Sequence, residues 1–143
     1  MNSAPSRLLL KRYLFRRQFI VGPNSFIPNK FWESKALLHS QIISVHRDLP
    51  YVIRKQKSSL IAVIGIVIDP FRPAIDEGEI ADELLKGEPD IKSLIEATKK
   101  LSGRWVIIYQ NTFETYVFTD PTGHRTVYYY TEGNKIWFGS QPE

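Results

Sequence analysis

The stretch LIAVIGIVID, residues 60–69, decides the fold of this chain. It is a continuous apolar run rich in β-branched residues, and Pro70 follows it directly. Such a run is about half as long as a membrane-spanning helix, so it indicates a strand that is buried on both faces. We therefore predict a central strand here, and other parts of the chain must cover its two faces.

Two helices are predicted after this strand. Residues 76–86 place their apolar side chains on one helical face, and Gly87 stands just past the end. Asp90 is a typical helix-capping residue in front of a second apolar face, and Gly103 closes that segment. These helices are suited to cover one face of the sheet.

The periodicity changes to that of strands after the second helix. The segments RWVIIYQ, ETYVFTD, TVYYYTE and KIWFGS between residues 104 and 140 are rich in aromatic and β-branched residues, and turn residues separate them. We predict that these four strands form a C-terminal antiparallel meander. The expected fold class is a layered α+β domain, and the length of 143 residues fits a single domain over residues 1–143.

The first 57 residues are less regular. Residues 12–21, RYLFRRQFIV, mix aromatic residues with arginines and predict a strand. Residues 31–43, FWESKALLHSQII, have apolar side chains near helical spacing and predict a short helix.

The composition excludes several classes of function. The chain has no cysteine, which excludes a disulfide framework, a thiolate nucleophile and a cysteine metal site. Its three histidines, His39, His46 and His124, are too scattered in the sequence to predict a metal site. The start MNSAPSRLLLKRY lacks the apolar core of a secretion signal, so we expect a cytoplasmic protein without a membrane segment.

The net charge of +4 is unevenly distributed along the chain. Up to Lys57 there are eleven Lys and Arg against two acidic residues, whereas from Ser58 onward there are eight against thirteen. A basic half with many aromatic residues is suited to a phosphate backbone or an acidic surface. However, no RNA-binding run, Gly-x-x-Gly loop or recognition helix accompanies the charge, so we do not expect nucleic acid as the main partner.

The C-terminal third resembles the end of the class II glutamine amidotransferase domain of asparagine synthetases. That family has Leu-x-Gly before a hydrophobic strand, then Arg-Asp-x-x-Gly-x-Arg-Pro-Leu-Tyr, and Ala-Ser-Glu after a hairpin. The turn at residues 120–123 is also a good hairpin turn by its composition, so we interpret the matching residues as structural. They are Leu101, Gly103, Asp120, Gly123, Arg125, Tyr128 and Ser140.

A second match lies upstream. Residues 62–71, AVIGIVIDPF, are similar to the family strand Val-Asn-Gly-Glu-Ile-Tyr-Asn, and residues 75–80, IDEGEI, are similar to the start of its next helix. Gly65 retains the glycine, Asp69 replaces the final asparagine, and Glu77 falls near the substrate-binding aspartate of the family. The resemblance implies the αββα layers of N-terminal-nucleophile hydrolases and a vestigial substrate-binding site at these three residues.

The departures from the family exclude its reaction. The family nucleophile is an N-terminal cysteine, but this chain begins Met1-Asn2-Ser3. The asparagine that completes the oxyanion hole falls at Ile64, which has no polar donor. Such a donor typically contributes a factor of about 100 to 1,000 to the rate. We therefore assign no catalytic residue and expect no glutamine hydrolysis.

These observations favour a non-hydrolytic amidotransferase-like domain of an asparagine-synthetase-like protein. Its expected partner is a C-terminal synthetase-like domain in the same, longer chain, an amide-forming ligase on which it packs or which it regulates. ATP and magnesium are expected only in that domain, since this sequence lacks a Ser-Gly-Gly-x-Asp-Ser loop. The sequence also leaves open whether the protein forms a homo-oligomer. The alternative is a freestanding interaction module that binds an acidic protein or nucleic acid through its basic N-terminal half.

Overall fold

The computed structural model describes residues 15–140, and these form two antiparallel sheets and two helices. The α+β class expected from the sequence is therefore confirmed. Residues 12–14 of the first predicted strand lie outside the described residues, as do Arg7, Lys11 and Arg12 of the basic half. In chain order the elements are β1 Phe19–Gly22, β2 Trp32–Ala36, β3 Ile42–His46, β4 Tyr51–Gln56, β5 Ser59–Ile68, α1 Glu77–Leu85, α2 Ile91–Thr98, β6 Ser102–Gln110, β7 Thr115–Thr119, β8 Tyr128–Glu132 and β9 Lys135–Gly139.

The described chain divides into two compact units. One, which we call the split unit, comprises the described residues up to Leu49 and those from Tyr128 onward. It contains a five-stranded sheet in the order β2-β3-β1-β9-β8. The other, the central unit, is Pro50–Val127 and contains a four-stranded sheet in the order β4-β5-β6-β7 together with both helices.

The apolar run at residues 60–69 forms the predicted central strand. β5 lies between β4 and β6, pairing Leu60 with Lys55 on one side and with Gln110 on the other. Its side chains are buried on both faces as far as Ile64, which is fully inaccessible. Burial of a large apolar side chain contributes about 1.5–3 kcal/mol, so this strand supplies much of the stability of the central unit.

Both predicted helices form, and the first begins at Glu77 because Asp76 is its capping residue. Asp76 and Glu79 make a reciprocal capping box at the start of α1, with the Asp76 carboxylate accepting from the Glu79 N–H at 2.8 Å. Asp90 accepts from the Ser93 N–H at 2.9 Å and begins α2. Their apolar faces share one core with the sheet, which includes Ile61, Val63, Val67, Ile80, Leu84, Leu85, Leu94, Leu101, Trp105, Ile107 and Tyr109.

The predicted four-strand meander is wrong, although all four strands exist. β6 and β7 form a hairpin in the central unit, whereas β8 and β9 form a hairpin in the other sheet. The ladder between β6 and β7 ends at Thr119, and the buried Asp120 carboxylate that follows accepts hydrogen bonds from the N–H groups of Thr122 and His124. β9 then pairs with β1, placing Gly139 opposite Ile20, so β7 stays an edge strand.

The helix predicted at residues 31–43 is also wrong. This segment is the hairpin of β2 and β3, in register from Trp32 opposite His46 to Ala36 opposite Ile42. The turn is closed by a hydrogen bond from the Leu37 N–H to the Gln41 carbonyl at 2.8 Å. Pairing of β3 with β1 fixes the segment as a strand, and this tertiary interaction overrides the helical spacing of its apolar residues.

Gly103 is expected to be essential for the pairing of β5 with β6. Its φ is +115°, and a Cβ atom there would lie 2.1 Å from the Ile66 carbonyl oxygen. We expect Gly103→Ala to lower the free energy of unfolding by about 2–5 kcal/mol in urea titrations. The matched control is Gly87→Ala, where φ is +77° but a Cβ would meet nothing within 4 Å. It should cost only about 1–2 kcal/mol, and equal losses for both variants would contradict the steric argument.

Candidate functional site

A cleft of about 230 Å³ lies within the central unit, and the structure brings Gly65 and Glu77 together on its wall. These are two of the three residues that the sequence predicts for a substrate-binding site. The other lining residues come from the start of β4 and the start of α1, and they are Pro50, Tyr51, Val52, Arg54, Asp76 and Gly78.

Gly65 forms the sheet side of the cleft, where only glycine fits. Its φ is +99°, and a Cβ atom would lie 2.2 Å from the Arg104 carbonyl oxygen. Its N–H donates to the Pro50 carbonyl at 2.8 Å, which ties the start of β4 to β5. The Arg125 Nε lies 2.8 Å from the same Cβ position and donates to the Arg104 carbonyl at 3.2 Å. A guanidinium therefore lies beside the sheet side of the cleft.

The helix side of the cleft carries charges of both signs. Glu77 is the first residue of α1, directly after the capping residue Asp76. The Arg54 Nε contacts the Asp82 Oδ1 at 3.0 Å, and a Cβ on Gly78 would lie 2.5 Å from Arg54 Nη2. Gly78 thus leaves room for the guanidinium above the first turn of the helix. The cleft is lined by one cationic and two anionic side chains; Arg54 already contacts Asp82 and Asp76 caps α1, which leaves Glu77 as the carboxylate available to a small polar molecule.

The described wall of the cleft does not contain the nucleophile or the oxyanion donor that the resemblance would require. None of its described lining residues is Ser, Thr, Cys, His or Lys, and Tyr51 supplies the only side-chain hydroxyl. Ile64, at the position of the family's oxyanion donor, is fully buried and pairs with Tyr51 and Val106. The arrangement can bind a polar ligand, but its side chains provide neither an attacking hydroxyl or thiol nor an oxyanion donor at residue 64.

Asp69 is not among the cleft residues and has a structural environment. Its carboxylate is buried and contacts Arg72 Nη2 at 3.0 Å and Lys100 Nζ at 3.1 Å, and it accepts from the Phe71 N–H at 3.0 Å. Burial acts to raise the pKa of Asp69, but the hydrogen bonds from Lys100, Arg72 and Phe71 outweigh it and lower the pKa. Arg72 also contacts Glu83 at 2.6 Å, which links the end of β5 to α1.

The other family-motif residues occupy structural positions in both units. The Asp120 carboxylate accepts hydrogen bonds from the hydroxyl and the N–H of Thr122. Burial acts to raise the pKa of Asp120, but these hydrogen bonds and one from the His124 N–H outweigh burial and lower the pKa. Gly123, in the same turn, donates its N–H to the Asp120 carbonyl at 2.9 Å. In the split unit, Tyr128 begins β8, and the Ser140 hydroxyl accepts from the Phe19 N–H at 3.0 Å.

Sequence reasoning missed Arg54 and the approach of Arg125 to Gly65. Arg54 lies in the irregular first 57 residues, and no local pattern there indicates that β4 pairs beside Gly65. For Arg125, the sequence predicts only a structural role within the family motif. The basic N-terminal half is partly neutralised within the described residues, because Arg16 Nε contacts Asp48 Oδ2 at 2.7 Å.

Neither a metal cluster nor a membrane-spanning helix occurs in residues 15–140. Within these residues, the His, Asp and Glu side chains form no group of three that could hold a metal ion. The helices of the described chain are too short or too polar to cross a bilayer. His46 is fully buried, and its Nδ1 accepts from the Asp48 N–H at 3.1 Å.

Comparison of the chain with protein-family models, with curated proteins and with solved structures found no match.

The ion network of Asp69 predicts how stability depends on pH. Because folding lowers the pKa of Asp69, its stabilising effect is complete above its unfolded pKa of about 3.9 and is lost as the pH falls through the folded value. Asp69→Asn should lower the free energy of unfolding by about 2–3 kcal/mol at pH 7, since it removes hydrogen bonds to a charged group from partners that are themselves partly exposed. In urea titrations from pH 7 to pH 2.5, the difference from wild type should shrink below about pH 4.

The control for this network is Glu96→Gln, which removes an exposed ion pair with Lys99 on α2. Exposed pairs of this kind contribute about 0–1 kcal/mol. A loss for Asp69→Asn no larger than that of the control, or one that stays constant to pH 2.5, would show that the Asp69 network does not stabilise the fold.

Proposed function

We propose that this chain is a non-hydrolytic class II glutamine amidotransferase-like domain of an asparagine-synthetase-like protein. It packs on or regulates an ATP-dependent amide-forming domain. The observation that carries the proposal is the cleft, where Gly65 and Glu77, assigned to a substrate site by resemblance, share a wall. Among residues 15–140, that wall has no hydroxyl or thiol nucleophile other than the Tyr51 phenol.

The finer proposal for the fold is the αββα layering of N-terminal-nucleophile hydrolases. Two antiparallel sheets support it, as do the two helices that cover one face of the four-stranded sheet. The other face of that sheet is also buried at Ala62, Ile64, Val106 and Ile108. A sheet with both faces buried is an inner layer in such an architecture.

The cleft is suited to hold an amino acid without cleaving it. Glu77 offers a carboxylate to an α-ammonium group, and the Arg54 guanidinium offers a cation to a carboxylate. Without hydrolysis of glutamine, the amide-forming domain uses free ammonia or an amine of its own substrate. The proposal includes a cytoplasmic location, because that domain consumes ATP.

The proposal predicts which nitrogen source supports amide formation. The protein encoded by the complete native gene is assayed for ATP-dependent amide formation with ammonium chloride or with L-glutamine. We expect glutamine to support less than about one-hundredth of the rate with ammonia, the loss expected from a missing oxyanion donor alone. Comparable rates with the two sources would refute a non-hydrolytic domain.

The role of the cleft is tested separately by calorimetric titration of the chain with L-glutamine. Glu77→Gln removes a charge from the cleft and should weaken binding about tenfold or more. The matched control is Glu96→Gln on α2, which removes an exposed carboxylate outside the cleft and should leave the affinity unchanged. Equal affinities of the two variants would place the ligand elsewhere.

A further inference from the structure

The strand β8, with the sequence YYYTE, is an edge of the five-stranded sheet in the split unit. All of its side chains are exposed, so both faces of the strand are open to water. Tyr128, Tyr129 and Tyr130 are 45%, 80% and 61% exposed. Three consecutive aromatic side chains therefore lie on a sheet edge that no other strand of residues 15–140 pairs with.

The other three edge strands of the described chain are protected against pairing with a further strand. β2 carries Glu33 and Lys35, and β4 carries Arg54 and Lys55, and charged side chains on an edge oppose such pairing. β7 is half-buried along its whole length and packs in part on the helical core. β8 has neither protection, because it is exposed throughout and its one charge, Glu132, is at its end.

The register of the hairpin indicates which backbone groups of β8 are unpaired. A two-residue turn follows Glu132, and the residues that flank such a turn form a hydrogen-bonded pair. Hydrogen-bonded and non-hydrogen-bonded pairs alternate along an antiparallel ladder. The N–H and C=O groups of Tyr129 and Thr131 therefore point away from β9. The Ser140 N–H donates to the Phe19 carbonyl on the far side of β9 at 3.1 Å, which fits the same alternation.

An antiparallel second copy of β8 satisfies these outward groups. A two-fold axis beside Tyr130 places Tyr129 opposite Thr131 of the second copy, so that every outward N–H meets a C=O. The same axis brings the two Tyr130 side chains together as a non-hydrogen-bonded pair, in which side chains lie closest. It keeps the two Glu132 carboxylates about 14 Å apart along the strands, beyond the Debye length of about 8 Å at physiological salt. β8 is thus self-complementary in hydrogen bonding, in aromatic contact and in charge.

We propose that β8, Tyr128–Glu132, is the interface of a homodimer in which two copies of this chain join their five-stranded sheets. We call this interface the tyrosine edge. Main-chain hydrogen bonds pair the two strands, and the tyrosines supply the apolar area that is buried. No residue of the tyrosine edge lines the cleft, so the inference does not rest on the proposed function.

The test is sedimentation equilibrium of the whole chain. An interface of five residues a side is small, so the dimer should dissociate in the micromolar range. Between about 1 and 200 µM, the measured mass should rise from 16.6 kDa toward twice that value. Thr131→Pro should raise Kd at least about tenfold, because it removes half of the hydrogen bonds between the copies. The fold should tolerate this proline, since the lost N–H points outward from an edge strand.

A pair of charge variants tests the register. Tyr130→Lys and Tyr130→Glu each place like charges directly opposite each other across the axis, so each alone should raise Kd about tenfold or more at low salt. An equimolar mixture of the two variants should associate again, because opposite charges then face each other. The matched control is Phe113→Lys, which introduces the same charge at an 88% exposed aromatic residue outside β8 and should leave Kd unchanged.

Circular dichroism and urea titration confirm that each variant is folded, and the charge pair carries the test if Thr131→Pro does not fold. A wild-type chain that stays monomeric up to 200 µM would overturn the proposal. So would a dimer that Tyr130→Lys leaves intact, or a mixture of the two charge variants that does not associate. Each of these results leaves the proposed function untouched, because the assays of amide formation and glutamine binding do not involve β8.

Discussion

The pairing of β5 with β6 is the interaction on which the central unit depends. It runs from Leu60 opposite Gln110 to Ile68 opposite Ser102, and it is the longest ladder in the described chain. One face of this ladder holds both helices through the shared core, and β4 and β7 are added to its two edges. A one-residue slip of register here would move every apolar side chain of β5 to the opposite face, so the shared core and the cleft both depend on this pairing.

Two glycines allow the close approach of β5 and β6 near the cleft. Gly65 and Gly103 both have positive φ, and each would place a Cβ atom within 2.2 Å of a carbonyl oxygen on the paired strand. The strands therefore approach each other more closely here than side chains would allow. Gly65 also lines the cleft, together with the start of β4 and the first turn of α1.

The sequence predicted those elements whose signals are local. The β-branched run at residues 60–69 and the capping residues Asp76 and Asp90 each specify their structure within a few residues, and the strand and both helices form as expected. The hairpin at residues 31–43 depends instead on pairing with distant strands, which a spacing pattern does not contain. The meander prediction was wrong for the same reason, because the sequence pattern of a strand does not indicate which strand it pairs with.

The cleft could be predicted only in part. The resemblance identified Gly65 and Glu77, whereas Arg54 is brought to the cleft by the pairing of β4 with β5, which no local pattern indicates.

The contrast between Asp69 and Glu77 shows why resemblance alone does not define a site. The resemblance assigns both carboxylates to substrate binding, although Asp69 directly follows β5 whereas Glu77 is the first residue of α1. Asp69 is buried, and Arg72, Lys100 and a backbone N–H already satisfy it, so a ligand would have to displace a stabilising network. Glu77 is only half-buried and lines an open cleft. Breaking the contacts of such a carboxylate costs about 2–3 kcal/mol, which is a large part of the roughly 4 kcal/mol with which a millimolar ligand binds. Ligand binding is therefore expected at Glu77, and Asp69 serves to hold the end of β5 against α1.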